Sequence, residues 1–164
     1  MDIWSKEKRS EVMSKIHSKD TKPEIEVRKA LYARGYRYRI HCSNLPGKPD
    51  IVFRKSKTVI FINGCFWHHH EGCKYASIPK SNTEFWQNKI THNQMRDKEN
   101  LLKYAQMGWN VITIWECEVR HVHDLTPLID HITAQLQQQA LSIQPKSKYD
   151  QAEQQVGIAA EKGG

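Results

Sequence analysis

Residues 63–80 constrain the fold more than any other part of the chain. They are rich in glycine, histidine and cysteine and show neither helical nor strand periodicity, so no regular backbone ladder is expected to order them. Cys65, His70 and Cys73 lie in this segment, and Cys117 follows at the end of a later apolar run. Two thiolates and an imidazole at short spacing, with a fourth ligand from a distant element, are typical of a closed tetrahedral zinc site. The sequence therefore predicts a loop ordered by structural Zn²⁺.

Spacing alone leaves open which of His68, His69 and His70 binds the metal. His70 is favoured because it lies between the two cysteines of the segment, with the shorter span towards Cys73. The alternative is an ordinary loop with buried cysteines and exposed histidines. We favour zinc because nothing else in the sequence is expected to order a glycine-rich backbone around three potential ligands.

Composition and charge limit the number of domains and the kind of partner that this chain can have. The chain has 164 residues, 38% of them hydrophobic, which suffices for one domain, expected at 21–141. Residues 1–57 carry 15 basic and 7 acidic side chains, whereas the remainder carries 10 and 11. A basic excess attracts polyanions, most commonly nucleic acid, so we expect residues 1–20 to be a basic segment that contacts DNA. Residues 142–164 contain few apolar side chains and are expected to be a disordered tail.

The chain carries no sign of a membrane or secreted protein. No stretch approaches the ~20 apolar residues that a membrane span needs, and residues 1–10 lack the apolar centre of a signal peptide. We therefore expect a cytoplasmic protein without a membrane partner, whose four cysteines are reduced and available for metal.

Local patterns predict alternating helices and short strands. Helices are expected where apolar residues recur at helical spacing between cap and stop signals, and strands where β-branched or aromatic residues alternate or form short runs. The predicted helices cover 6–16, 21–35, 81–106 and a stretch from 126, and the predicted strands cover 36–41, 50–53, 58–62 and 109–115. The last strand is expected to be buried and parallel to a neighbour. This order predicts an α/β or α+β layer fold with helices against a mixed sheet.

A candidate metal-binding carboxylate lies at the predicted hairpin. The strands at 50–53 and 58–62 are expected to form a hairpin, in which Asp50 begins the first strand and the second strand ends near Asn63. A carboxylate beside the exposed end of a neighbouring strand can bind Mg²⁺ while leaving room for waters and a phosphate. An Asp after a proline is also a common turn residue, and Glu24 is fully explained as the last member of a capping box that begins at Thr21.

His68 is the candidate general base. A neutral imidazole near a phosphate can deprotonate a water, and a carboxylate on its other ring nitrogen would fix the tautomer. Asp97, in the middle of the long predicted helix, could be that carboxylate. Periodicity alone favours a solvated Asp between Arg96 and Lys98.

Three aromatic side chains complete the candidate set. Phe66 and Trp67 are adjacent in a polar loop, so they cannot easily both face one core, and Trp86 lies early in the following helix. Exposed aromatic rings beside basic residues suit base stacking or wedging into an unstacked step of DNA. Packing over the zinc is the alternative.

Four motifs together resemble one family of nucleases. They are LPGKPDI at 45–51, FINGCFWH at 61–68, TEFW at 83–86 and WEC at 115–117. In order from about residue 9 to residue 117, the chain resembles the very short patch repair endonucleases, the Vsr family. The resemblance implies a restriction-endonuclease-like fold of the PD-(D/E)XK type. It also implies Mg²⁺-dependent nicking of double-stranded DNA on the 5′ side of the thymine in T:G mismatches, which arise by deamination of 5-methylcytosine.

The resemblance also implies residue roles. Asp50 would bind the metal together with the Ile62 carbonyl, and Glu24 would contact a metal-bound water. His68 would be the general base, oriented by Asp97. The implied zinc ligands are Cys65, His70, Cys73 and Cys117, and the implied DNA wedge comprises Phe66, Trp67, Trp86, Met13 and Ile16. The chain departs from the restriction-type pattern because it lacks a second acid and a lysine near Asn63.

Two other functions stay open at this point. One is a zinc-stabilised DNA-binding module without catalysis, and the other is a restriction-type nuclease that cuts paired DNA at a defined sequence. The adjacent Phe66 and Trp67 weigh against the latter, because opening a step is wasted on well-stacked DNA. We expect a monomer that acts at the nucleoid, with mismatch-repair proteins and a DNA polymerase as candidate partners.

Overall fold

The structure, a computed structural model, describes residues 5–14 and 20–143, without the side chains of residues 13 and 14. Ile16 and most of the predicted tail lie outside the described residues, and the predicted domain boundaries stay predictions. Within the described ranges, no helix is both long enough and apolar enough to cross a membrane.

Helices and short strands alternate along the described part of the chain. They are α1 (Lys6–Ser14), α2 (Lys22–Ala33), β1 (Ile51–Phe53), β2 (Thr58–Asn63), a 3₁₀ turn (Lys74–Ala76), α3 (Thr83–Met107), β3 (Asn110–Trp115), α4 (Glu116–Arg120) and α5 (Thr126–Ile143). The prediction of an α/β architecture is confirmed. The short helix α4 was not predicted, because five residues are too few to display a helical period.

The strands form a small mixed sheet in the order β1-β2-β3. β1 and β2 are antiparallel, with Ile51 opposite Ile60, whereas β2 and β3 are parallel, with Ile60 opposite Ile112. The predicted hairpin and the predicted parallel strand are both confirmed. β2 is the central strand, and its nearly continuous apolar run is explained by the apolar clusters that cover both faces of the sheet.

Alternate residues of the strands point to opposite faces of the sheet. Ile60 and Ile112 belong to an apolar cluster that includes residues of α2, α4 and α5. Val52 and Val59 belong to a second cluster with Tyr104 of α3. Helices therefore cover both faces, and α3 packs on the side opposite to α2 and α5.

The predicted strand at 36–41 is wrong in extent. Within residues 36–41, only Arg39 pairs with β1, through an antiparallel bridge to Val52. β1 has three residues, so it offers little length for pairing, and His41 adopts a positive φ of 56° that interrupts extended backbone.

Candidate active site and metal cluster

Asp50 lies where two antiparallel strands bring their ends together. β1 begins directly after Asp50 and β2 ends at Asn63, so pairing places the start of one strand beside the end of the other. The Asp50 N–H donates to the Ile60 carbonyl at 3.0 Å, and the Ile62 N–H donates to Asp50 Oδ2 at 2.6 Å. These bonds fix the carboxyl group in a cleft that Ile62 and Asn63 also line.

The loop that carries Asp50 packs closely on α3. The Tyr104 hydroxyl donates to the Pro46 carbonyl at 2.6 Å. Gly47 has a φ of +72°, and a Cβ atom there would lie 2.5 Å from Asn100 Nδ2. Glycine permits both the backbone conformation and the approach, so α3 sets the position of the loop.

Burial dominates the electrostatics of Asp50. Burial, with a smaller contribution from the neighbouring Glu24 carboxyl, raises the pKa of this carboxyl group to about 7, against the Ile62 hydrogen bond and the positive charge of Arg28. Two carboxyl groups close together in a partly buried cleft would be stabilised by a divalent cation.

Glu24 lies in the first turn of α2 and also lines the cleft. Its residue exposure is 3%, and its Oε1 accepts a hydrogen bond from the Thr21 hydroxyl at 3.1 Å. Its Oε2 accepts from the Asp20 N–H at 3.0 Å. Thr21 is the N-cap residue but makes no capping hydrogen bond with its side chain, so the predicted reciprocal capping box is not formed. Capping therefore does not account fully for Glu24.

His68 and Asp97 form a hydrogen-bonded pair across the same cleft. His68 Nδ1 lies 2.6 Å from Asp97 Oδ2, and both residues line the cleft with Asp50. A carboxylate only accepts hydrogen bonds, so this contact favours the neutral tautomer in which Nδ1 carries the proton and Nε2 is an acceptor. Asp97 is therefore not the solvated residue that periodicity favours.

Four side chains from two distant segments form a cluster that could bind a metal ion. The ligand atoms of Cys65, His70, Cys73 and Cys117 all lie within 4.8 Å of one another. A tetrahedral zinc site with sulfur ligands has edges of about 3.8 Å, so small adjustments would close the set. The ring of Trp115 stacks on His70 at 4.3 Å and packs against this ligand.

The thiols of the cluster lie where charge is poorly solvated. Burial raises the pKa of Cys65, and burial together with the neighbouring thiols raises the pKa of Cys117 to about 12. A bound cation would compensate for the loss of solvation and favour the thiolates.

An aromatic cluster lies beside the cleft. Phe66 lies 5.1 Å from Trp67 and 5.4 Å from Trp86 between ring centroids, with edge-to-face geometry. Phe85 extends the cluster, with its ring 5.0 Å from Trp86 and a residue exposure of 56%. Phe66 and Trp67 are both half-buried against each other, an arrangement that was not foreseen. The predicted wedge residues Met13 and Ile16 lie outside the residues whose side chains are described.

Three residues of α3 were missed at the level of sequence, namely Lys89, Asn93 and Asn100. They recur at three- and four-residue spacing with Trp86 and Asp97 and lie on the same face of the helix. Asn93 Nδ2 donates to the Trp67 carbonyl at 2.9 Å, and Lys89 Nζ lies 5.8 Å from the Trp67 ring centroid. The spacing was a usable signal, because polar residues at this period mark one face.

Comparison with known proteins identifies the family. A family model described as DNA mismatch endonuclease Vsr matches residues 1–74. The type II nicking enzyme V.NmeAIP of Neisseria meningitidis serogroup A is 53% identical over 120 residues, which cover 73% of this chain and 85% of that protein. The DNA mismatch endonuclease Vsr of Escherichia coli is 38% identical over 125 residues, which cover 76% and 80%. Identity of this extent, over most of both chains, shows that the chain belongs to the Vsr family of DNA mismatch endonucleases.

Proposed function

We propose that this protein nicks double-stranded DNA on the 5′ side of the thymine in T:G mismatches and so initiates very short patch repair. The observation that carries the proposal is the convergence of Asp50, Glu24 and the His68–Asp97 pair on one cleft. The carboxylate at the start of a hairpin strand in a small mixed sheet supports assignment to the PD-(D/E)XK type of fold.

The cleft fits a magnesium ion by the chemistry of its donors. Asp50 and the Ile62 carbonyl would bind Mg²⁺, and Glu24 would accept a hydrogen bond from one of its waters. The raised pKa of Asp50 supports this assignment, because a cation would relieve the cost of its buried charge. When bound, such an ion supplies stabilisation of the negative charge that develops on the phosphate. Asn63 offers only a neutral amide, a weaker ligand than carboxylate.

His68 would act as the general base. Its Nε2 accepts the proton of the attacking water, and Asp97 keeps the ring in the required tautomer and stabilises the imidazolium that results.

The metal of the Cys/His cluster would be structural Zn²⁺, which three thiolates and one imidazole favour. Cys65 and His70 lie on either side of the segment that carries Phe66, Trp67 and His68. Zinc would therefore order the part of the chain that bears both the base and two of the aromatic rings.

Mismatch selectivity would come from the low cost of unstacking. A mispaired step is opened at less cost than a paired one, so the aromatic cluster would insert there first. The basic residues of the N-terminal half would supply the salt-dependent affinity for DNA. The protein would act as a cytoplasmic monomer at the nucleoid, and mismatch-repair proteins and a DNA polymerase stay candidate partners.

End-labelled duplexes with T:G, T:A or C:G at one position test the proposal when they are incubated with and without Mg²⁺. We expect a nicked strand from T:G alone, and only with Mg²⁺. Asp50→Ala should abolish nicking while mismatch binding largely survives, and Asp124→Asn, at an exposed position outside the cleft, serves as the control. A DNA-binding module would yield no product, and a nuclease for paired DNA would cut T:A equally well; either result contradicts the proposal.

A further inference from the structure

Arg28 is a buried cation that the proposed chemistry does not use. It lies one helical turn after Glu24 on α2, and its exposure is 9%. Its guanidinium donates from Nη2 to Glu24 Oε2 at 3.0 Å and from Nη1 to Asp20 Oδ1 at 2.6 Å. Its Nε is buried and has no hydrogen-bond partner among the described residues.

The Arg28 guanidinium lies against the Glu24 carboxylate, which would otherwise be costly to bury. The Glu24 side chain is 5% exposed and lies near the second acid, Asp50. A carboxylate with so little solvent, beside another acid, tends to turn away unless a cation holds it. The Arg28 guanidinium, which is always charged, contacts Glu24 Oε2 directly and can hold the carboxylate in this position.

Asp20 restricts the arginine from its other side. Asp20 Oδ1 accepts from Arg28 and also lies 3.2 Å from His41 Nε2, which limits where the carboxylate can move. With one acid on each arm, the planar guanidinium has little freedom to leave Glu24. A role in stability alone explains the arrangement poorly, because apolar residues of similar volume often replace buried ion pairs without loss of stability.

We propose that Arg28 is a positioning residue of the active site. Its hydrogen bond to Oε2 holds the Glu24 carboxylate at the edge of the cleft, and it thereby sets the affinity of the cleft for the divalent cation. The proposal rests on the proposed function, since it requires that Glu24 face the metal. Arg28 itself does not line the cleft and acts through Glu24.

Two variants with a matched control test this role. Arg28→Met removes the charge, and Arg28→Lys keeps the charge without the fork. Arg34→Met is the control, because Arg34 follows α2 and pairs with Asp130 at the surface. The readouts are the Mg²⁺ concentration that half-saturates the DNA-free protein in titration calorimetry, and the concentration that gives half-maximal nicking.

For Arg28→Met we expect both concentrations to rise by about tenfold, as is typical when an outer-shell partner of a metal site is removed. Arg28→Lys should recover part of the loss, and Arg34→Met should match the wild type. In magnesium-free buffer, mismatch binding should be unchanged. If Arg28→Met fails to fold, an Arg28→Lys variant with the wild-type Mg²⁺ requirement overturns the proposal, and a raised requirement supports it.

A double-mutant cycle separates positioning from a general structural effect. If Arg28 acts through Glu24, then Arg28→Met adds nothing to the Mg²⁺ requirement of Glu24→Gln. Additive effects, or an Arg28→Met variant with the wild-type requirement, would overturn the inference. Failure of the proposed function gives a different result, since the wild-type protein would then not nick T:G duplexes at all.

Discussion

Asp50→Asn should stabilise the protein at neutral and alkaline pH when Mg²⁺ is absent. Burial raises the pKa of Asp50 from its ordinary value of 3.8 to about 7, so the folded chain keeps this proton to a higher pH than the unfolded chain. The contribution of Asp50 to the free energy of unfolding therefore falls as pH rises from about 4 to about 7, and is constant above that range. Asparagine resembles the neutral carboxyl group and cannot acquire the charge.

The magnitude follows from the two pKa values. The difference between 3.8 and about 7 corresponds to on the order of 4 kcal/mol. Because Asp50 faces a cleft, solvent screens part of this cost, and we expect a gain of about 2 to 4 kcal/mol at pH 8. The gain should be smaller at pH 5 and should vanish only at pH values well below 3.8, where Asp50 is protonated in both the folded and the unfolded wild-type chain.

Urea unfolding at pH 5 and pH 8 in magnesium-free buffer measures this difference. Asp124→Asn is the control of opposite sign, because hydrogen bonds from Thr126 lower the pKa of Asp124. That carboxylate stabilises the fold above its unfolded pKa, and the effect is lost as pH falls, so its replacement should bring no gain at pH 8. An Asp50→Asn variant that is no more stable than the wild type at pH 8 would refute the reasoning. Added Mg²⁺ should stabilise the wild type at pH 8 and leave Asp50→Asn unchanged.

Other substitutions test the rest of the site. Cys117→Ser should lose the bound metal by elemental analysis and lower the thermal midpoint more than it alters the chemistry; an intact fold without metal in the wild type would contradict the zinc assignment. Asp97→Asn should slow nicking by about 10²- to 10⁴-fold in single-turnover assays, because the tautomer of His68 is no longer fixed, and an unchanged rate would exclude the pair from catalysis. Trp67→Ala should lower the preference for T:G over T:A binding, measured by competition. Tyr104→Phe should cost about 1 kcal/mol in urea unfolding through loss of one hydrogen bond, with equal stability as the contrary result.

Several elements of this chain were predictable because their signals are local. The hairpin, the long helix α3 and its end at Gly108 follow from runs and stop signals within a few residues. Gly108 ends the helix in a left-handed conformation, with a φ of 74°, as a glycine at that point indicates. The types of side chain in the Cys/His segment likewise limited the kind of metal that four ligands could bind.

Glu24 and Asp97 show where local patterns are insufficient. A capping residue and a solvated acid were adequate explanations from neighbouring residues alone. The structure instead brings Glu24 beside Asp50 and sets Asp97 2.6 Å from His68. Helical periodicity reveals which residues share a face, but not which part of the molecule that face meets.

The amino-acid sequence thus determined which helices and strands form and which side chains could act as ligands or catalysts, because backbone propensity and ligand type act over a few residues. Which of these side chains lie together was decided by long-range packing. The contact of Tyr104 with the Pro46 carbonyl, 58 positions apart, helps to set α3 against the loop of Asp50. The pairing of Arg28 with Glu24 bears on the cleft only because α2 packs against the sheet in which β1 directly follows Asp50. Such contacts depend on where whole elements lie in the fold, and no short segment encodes that position.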